Sequence, residues 1–477
     1  MEKPNSVELR LLDGPTYPTI LRLAMPTVIA MLSQSAVNEI DVVFFARLPG
    51  CDGSTAQAAL LPSLILVWLF GGSLSAISVG TQALTARRYA EQKPEAAGAV
   101  LANAAWFCLL GGLILTVVAQ FTVGPLLRMM NLGPEVHAVA LAYSRWRVFG
   151  IIGMSMTVGV KSFFDGIGKT HVHLVAAVVM NIFNVLFCWL FIFGNLGAPR
   201  MGAPGAGFSA FVSTWIGLLI VLAFTLPERV RFSPYRRSNL SWSLTKDLLK
   251  LSLPAAASTV VMMVGFGAFS RVAGRLDEIA SHSDATNVIV GACGRAEAVN
   301  GAATTNIVAI MKLTFTACIA FGTATATLVS QSLGAKRPET ADRFGWGSVK
   351  LGVAIFGFIG LCEGVLFTPQ IVGFITHSEA VREAAMVPMR VMGVVTPIIA
   401  MALILSEALF GAGNTVFVAI AQLCLIFLIL VPLAFVFAIT LKIGLLGMWM
   451  AAVLYAVLAA IVMALKFRGG QWKAIEL

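Results

Sequence analysis

The sequence predicts an all-α membrane protein with twelve transmembrane helices in two six-helix lobes, related by a parallel repeat. Three observations carry that expectation. Of the 477 residues, 58% are hydrophobic and only 12% charged, about half the ~25% charged fraction of an ordinary soluble domain. Such a chain lacks the charge to solvate a closed surface, so most of its surface must face lipid. Apolar stretches long enough to cross hydrocarbon, which takes about 20 residues, recur along the whole chain. Landmarks of the first half return, in the same order, in the second.

The apolar stretches fall near 18–46, 58–84, 98–122, 138–164, 173–194 and 205–226, then near 247–273, 302–328, 346–368, 386–410, 416–439 and 443–466. The first begins after a polar segment and is too long for the apolar core of a cleavable leader. The expected organisation is an N-terminal segment 1–17, a lobe 18–226, a linker 227–244, a second lobe 245–466 and a tail 467–477. Basic residues gather after alternate stretches: Arg87, Arg88 and Lys93; Arg229, Arg231, Arg236, Arg237 and Lys246; Lys336, Arg337 and Arg343; Lys466, Arg468 and Lys473. The intervening loops carry few, such as Arg128 and Arg200. This is the positive-inside pattern; it places both termini in the cytoplasm of a multi-pass protein of an inner or plasma membrane. The net charge of +10 is therefore a topology signal, and no nucleic-acid partner is expected.

The seven cysteines (51, 108, 188, 293, 318, 362, 424) are scattered, mostly within apolar stretches, with no metal-ligand spacing, so neither a disulfide framework nor a metal site is expected. The five histidines fall at loops or helix ends and form no metal pair. No P-loop is present, which excludes direct ATP drive. The chain is expected to need no cofactor.

The duplication is explicit. LRLAMP at 21–26 returns as LKLSLP at 249–254, and ARL at 46–48 as GRL at 274–276. Gly80-Thr81 matches Gly322-Thr323, KPEAA at 93–97 matches RPETA at 337–341, and the Arg147–Gly150 stretch matches Arg390–Gly393. GIGKT at 166–170 matches GAGNT at 411–415. Six helices per half is an even number, so both halves insert with one orientation. Transporters built from such halves bind cargo between them near mid-membrane. A long loop near 277–305 interrupts the second half only.

An ionisable side chain inside a span is costly and marks a functional candidate. In the first span Gln34, Asn38 and Asp41 are spaced i, i+4, i+7; in the fifth, Asn181, Asn184 and Cys188 are spaced i, i+3, i+7. Each set shares one helical face. Together they outline a small hydrated chamber with Asp41 as its carboxylate. The repeat is an internal control: the first stripe transfers onto Met262, Phe266 and Phe269, the second onto Ile426, Ile429 and Leu433, all apolar. Packing alone therefore does not demand the chamber, although interhelical hydrogen bonds worth ~0.6–2 kcal/mol each would account for polar pairs of this kind. Because desolvation disfavours a bare charge, a chamber carboxylate can gain and lose a proton, and neutralising it can drive a conformational switch.

Further charges stay open. Glu407 in the tenth span and Lys312 in the eighth can pair with each other, or Glu407 can attract a cationic substrate, or both can be structural. Glu39 lies about 200° round the helix from Asp41 and faces another neighbour. Lys161 and Asp165 sit where snorkelling or pairing explains them, and Arg145, Arg147 and Arg390 read as anchors near helix ends.

With these landmarks in place, the chain resembles the multidrug and toxic compound extrusion (MATE) family over nearly its whole length. The carrying residues are Pro26, Asp41 and ARL in the first span, GTQALTARRYAEQKPEAA at 80–97, FFDGIGKT running into NIFNVLFCWLFIFG, GAPGAG at 202–207, and the LxLxLP restart ending at Pro254. The resemblance implies a V-shaped pair of lobes. It further implies export of small organic, often cationic, compounds by a monomeric antiporter, with Asp41 in the ion-coupling site. Two positions depart from the family pattern: a second aspartate of the fifth helix aligns with Cys188, and a hydroxyl of the sixth falls near Ala210. Sodium wants several hard oxygen ligands, so protons are favoured as coupling ion, with sodium the alternative. Acidic residues that another branch carries in helices 7 and 10 align with Met262 and Ile399, which disfavours a cation site of that type in the second half.

Two other functions are weighed. A lipid-linked saccharide flippase of the same superfamily would show clustered cleft arginines and extra helices, and a membrane-embedded enzyme would need a catalytic constellation; the sequence shows neither.

Overall fold

A computed structural model describes residues 10–48, 52–130, 133–236, 239–283, 299–376 and 378–475; the side chains of 10, 36–39, 42, 46, 54, 61 and 281–283 lie outside the described residues. The N-terminal lobe contains α1 (Thr16–Ala46), α2 (Asp52–Val67, Trp68–Gly72, Ser73–Ser75 and Ile77–Ala90), α3 (Pro94–Met129), α4 (Pro134–Phe149 and Ile151–Gly166), α5 (His171–Phe193) and α6 (Ala203–Phe232). The C-terminal lobe contains α7 (Trp242–Ser283), α8 (Val299–Gly334), α9 (Pro338–Leu361 with a π turn Cys362–Leu366), α10 (Glu379–Gly411), α11 (Thr415–Cys424 continuing through π turns to Thr440) and α12 (Leu445–Arg468).

Among the described residues ten helices are long and apolar enough to cross a membrane, and the two halves of α4, bent by 44°, make an eleventh span. Helix α1 is not in that set; its second half carries Ser33, Gln34, Ser35, Asn38, Glu39 and Asp41. Counting it as the remaining span gives the expected organisation, so the tally of twelve depends on how α1 and the bent pair are taken. Outward-facing apolar side chains such as Phe121, 78% exposed, and Phe374, 88% exposed, need a lipid environment, which a soluble protein would not offer. The loop expected from residue 277 begins later, because α7 continues helically to Ser283. Asp277 instead accepts hydrogen bonds from the Asn300 N–H, Asn300 Nδ2 and the Gly301 N–H, all at 2.8 Å. A carboxylate at the start of α8 satisfies amide donors that the helix leaves open.

The repeat is written in the backbone as well as the sequence. Gln92 (φ 62°) and Lys336 (φ 58°) both adopt the left-handed region. Each precedes a residue of nearly identical geometry, Lys93 at φ −115°, ψ 70° and Arg337 at φ −119°, ψ 70°, and then a proline opening α3 or α9. Proline suits a first helical turn because its missing N–H is not needed there. Gly202 (φ 61°, ψ −138°) before α6 and Gly444 (φ 73°, ψ −149°) before α12 match in the same way.

The lobes meet along the face that carries the basic loops, here called the basic face. Gln82 Nε2 on α2 donates to Thr323 O and Thr327 Oγ1 on α8, both at 2.7 Å. Thr327 Oγ1 donates to Asp165 O at 3.1 Å, Ser330 Oγ to Ala83 O at 2.8 Å and Gln331 Nε2 to Gly166 O at 2.8 Å. Arg87 crosses the boundary to Ala412 O at 3.0 Å and Ile475 O at 2.6 Å. The chain end is tied down beside it: Trp472 is buried, stacks on Phe467 at 4.5 Å and donates to Phe467 O at 2.6 Å.

Gly334 permits this approach. A Cβ there would lie 2.6 Å from Arg87 O and 2.8 Å from Arg87 Cα. Backbone atoms cannot step aside as a flexible side chain can, so added bulk must part the lobes. We expect Gly334→Val to lower the thermal unfolding midpoint in detergent, with an overpacking cost of about 1–3 kcal/mol. Gly133→Val, in open surroundings, is the control that leaves the midpoint nearly unchanged.

Candidate functional site

The polar stripes of α1 and α5 meet. Asp41 is only 4% exposed, and the Cys188 thiol donates to its Oδ1 at 3.5 Å. The same thiol lies 3.8 Å from Asn184 Oδ1, so Asn184 joins the site through Cys188, one turn away on α5. One turn nearer the basic face, Asn181 Nδ2 donates to Ser33 Oγ at 2.9 Å. Asn181, Asn184, Cys188 and Asp41 are all buried. Gln34 is partly buried and makes no hydrogen bond among the described residues; the side chains of Asn38 and Glu39 lie outside them.

Helix α4 adds two groups that the sequence did not assign to the chamber. Arg147 Nη1 sits 4.0 Å from Asp41 Oδ2, with side-chain exposures of 16% and 5%. The guanidinium also lies 5.6 Å from the centre of the Tyr143 ring. The Tyr143 hydroxyl is buried next to Asp41. Arg147 was read as an anchor; it is the charge partner of the chamber carboxylate. A positive charge at this distance offsets much of the cost of burying Asp41, which unpaired would be severe. The 44° bend of α4 falls directly after Phe149, and Gly207 of α6 lets the two helices close: a Cβ there would meet Tyr143 O at 2.5 Å.

Helix α6 contributes a hydroxyl after all. The position expected near Ala210 is filled one residue earlier by Ser209, whose Oγ donates to Gly205 O at 2.7 Å and contacts the Cys188 thiol. Toward the opposite face the chamber is roofed by Phe44, Phe45, Leu48, Leu60, Ile192 and Ala206.

The C-terminal counterpart is packed and apolar. Ile426 fills the space against Gly265, where a Cβ would fall 2.2 Å from Ile426 Cγ2, and Phe269 is buried. Arg390, the repeat partner of Arg147, is exposed, so the duplicated arginine meets a carboxylate in one lobe only. The pairing of Glu407 with Lys312 does not form. Glu407 lies over Gly322, where a Cβ would meet its Cγ at 2.7 Å; ten residues of helix, about 15 Å, separate Gly322 from Lys312, which is engaged elsewhere.

One intramembrane carboxylate was missed altogether. Glu363 sits on the π turn of α9, accepts a hydrogen bond from Thr314 Oγ1 at 2.7 Å, and buries its Oε2 without a partner. A single glutamate inside an apolar stretch was its only sequence signal. No group of three or more metal-ligating side chains occurs among the described residues.

A membrane protein of two duplicated lobes, with a charge-paired chamber in one of them, has the form of a secondary transporter. The MatE family model matches residues 26–190 and 283–436; the chain belongs to that family, the one its sequence resembles, and is a transporter, not an enzyme. It is 23% identical over 468 residues to the "probable multidrug resistance protein NorM" of Thermotoga maritima, covering 95% of this chain and 92% of that protein. It is 26% identical over 350 residues to a protein of the same name from Mesorhizobium japonicum, covering 72% and 69%. An outward-facing multidrug resistance MATE transporter structure superposes with a TM-score of 0.85 at 19% identity, covering 98% of this chain and 100% of that one. A transporter of the MOP superfamily from Pyrococcus furiosus superposes at 0.84 with 21% identity, covering 98% of each chain.

The ion pair makes a testable demand on stability. Arg147→Met strands a buried carboxylate, a loss of ~3–5 kcal/mol by analogy with broken buried pairs. Arg147→Met combined with Asp41→Asn should recover much of it. Thermal unfolding of the four variants of this cycle measures the coupling; additive midpoints would mean that the pair contributes nothing.

Proposed function

We propose that the protein exports small organic compounds, cationic and amphipathic in character, by antiport with protons through Asp41. The observation that carries this reading is the one-sided chamber: a buried carboxylate with a cation partner, present in one of two otherwise duplicated lobes. Coupling residues need no symmetry, whereas packing residues of a repeat tend to be duplicated. Asn184, Asn181, Cys188, Asn38 and Gln34 are the other members of the proposed coupling site. The curated relatives named multidrug resistance proteins support the class of cargo.

The surroundings of Asp41 favour a proton over sodium. A metal ion seeks several hard oxygens, and the hydrogen bond to Asp41 Oδ1 comes from the Cys188 thiol, a soft donor. A sodium ion on the carboxylate would also stand beside the Arg147 guanidinium and be repelled by it. A proton carries no such requirement: it neutralises Asp41, frees Arg147 from its partner, and changes which packing of α1, α4 and α5 is preferred. In this reading the basic face is cytoplasmic, both termini lie there, and the unit works as a monomer in an inner or plasma membrane.

Dye efflux from vesicles under an imposed proton or sodium gradient tests this. The expectation is transport in wild type under a proton gradient alone, and loss by at least about tenfold, equivalent to ~1.4 kcal/mol, in Asp41→Asn. Transport driven by sodium alone, or undiminished in Asp41→Asn, would overturn the assignment.

A further inference from the structure

We propose that the two bodies which move against each other are not the two sequence halves: the first turns of α7 ride with the N-terminal lobe, the chain ahead of Pro26 rides with the C-terminal lobe, and α7 hinges at Pro254. The inference rests on the chain being a two-lobe transporter and not on the role of Asp41.

The packing of α7 changes sides along its length. Leu248 and Leu251 share one buried core with Ile77, Ala83 and Leu84 of α2 and Val100 and Ala104 of α3. Against α2 the approach is close: a Cβ at Gly80 would lie 2.8 Å from Leu248 O and 2.6 Å from Ser252 Oγ. Asn103 on α3, buried, fastens the same turns. Its Nδ2 donates to Asn239 O at 2.8 Å, and its Oδ1 accepts from the Ser241 N–H and from Thr245 Oγ1, both at 3.0 Å. Beyond Pro254 the neighbours belong to the C-terminal lobe. Gly265 meets Ile426 of α11, and Phe269 meets Trp449 of α12 edge to face, with ring centres 5.4 Å apart.

The opposite half makes the same loan in reverse. Ile20 and Leu23 of α1 match Leu248 and Leu251 through the LRLAMP and LKLSLP repeat. They share a buried core with Leu328 and Val329 of α8, Phe344 of α9 and Phe467 of α12. Asn103 and Gly347 each lie ten residues after the matched Lys93 and Arg337. Where Asn103 holds Thr245, a Cβ at Gly347 would lie 2.7 Å from Thr16 Cγ2. The chain ahead of α1 is tied to the same lobe: Arg343 Nη2 donates to Leu12 O at 2.9 Å, and Arg337 pairs with Asp13 at 2.6 Å. Leu11 and Leu23 line the seam against Gly168 of the N-terminal lobe. Further along, α1 enters that lobe, where Asn181 bonds Ser33 and Cys188 bonds Asp41. An exchange that recurs at matched positions of both halves is a property of the repeat.

Pro254 sits at the changeover in α7. Proline has no N–H to offer the carbonyl four residues back, and its ring crowds that oxygen, so the helix is weakened there. Ser258 Oγ turns back to Pro254 O and Thr259 Oγ1 to Ala255 O, both at 3.1 Å, bonds of a kind that bend helices. Flexing at this point disturbs neither core. If the lobes divided at the linker instead, parting would pull Leu248 and Leu251 out from α2 and α3. It would also leave the buried Asn103 amide without its partners, which is costly. With the exchange, the moving boundary on the basic face runs between α2 and α8, where the bonds of Gln82 and Ser330 already cross it.

The test is thiol crosslinking of the full-length transporter in liposomes, read by ethidium efflux and, without any cargo, by hydrogen–deuterium exchange at segments 80–90 and 323–334. Asn103→Cys/Thr245→Cys joins α3 to the first turns of α7, and Gln82→Cys/Thr327→Cys joins α2 to α8 across the seam. Each is oxidised, then reduced, so that every protein is its own reference. We expect the first crosslink to leave efflux and exchange unchanged, and the second to abolish efflux and suppress exchange, both reversibly. A third variant avoids buried substitutions: Lys250→Cys/Ala257→Cys places thiols at exposed positions on either side of Pro254. A rigid bifunctional maleimide there should stop the parting that a monofunctional one allows. Parting blocked by the Asn103–Thr245 crosslink would return α7 whole to the C-terminal lobe and overturn the proposal. Parting that survives the seam crosslink, or the rigid link across Pro254, would overturn it as well. Failure of the Asp41 reading would show separately, as wild type and Asp41→Asn transporting alike.

Discussion

Hydrocarbon offers a polar group no water, so each one placed there must be satisfied by the protein itself. Backbone groups meet that demand by forming helices, and the twelve apolar stretches leave them no other course. Side chains meet it by pairing, and the pairs set the rest of the architecture. In the N-terminal lobe, Asp41 is tolerable because α4 brings Arg147 and α5 brings Cys188 to its carboxylate. Where the C-terminal lobe lacks that carboxylate, α7 and α11 close directly, Ile426 against Gly265.

The same demand shapes the boundary between the lobes. Gln82, Thr327, Ser330 and Gln331 each spend their polar atoms on carbonyls or hydroxyls of the opposite lobe. These bonds are individually modest, about 1 kcal/mol, and they can be exchanged for water when the seam opens. A seam held by many weak, hydratable contacts can alternate between closed and open states; a continuous apolar one would bind too firmly. Arg87 and the segment around Trp472 add contacts on the basic face, and Ser35 Oγ on α1 reaches Thr316 Oγ1 on α8 at 3.4 Å further along the boundary.

Much of this was legible in the sequence, for reasons that particular residues make plain. Helix positions followed from apolar length, and the stripes of α1 and α5 from spacing, because a 3.6-residue period fixes which side chains share a face. Arg147 was not legible, since its repeat partner Arg390 made it look like a structural anchor; only the bend in α4 and the depth of Asp41 give it a chamber role. Ser209 was missed by a single residue of register. Gln82 and Arg87 stood in the most recognisable stretch of the chain, yet their partners lie more than 240 residues away, and spacing carries no information over such a distance.

The central claim is that Asp41 exchanges a proton as cargo binds. It is tested most directly by adding a cationic dye substrate to the purified transporter in weakly buffered detergent and reading proton release with a pH indicator. The account predicts release in wild type and about one proton fewer per transporter in Asp41→Asn, since that variant has one carboxyl fewer to titrate. Equal release from the two proteins would contradict it and leave Asp41 as a structural partner of Arg147.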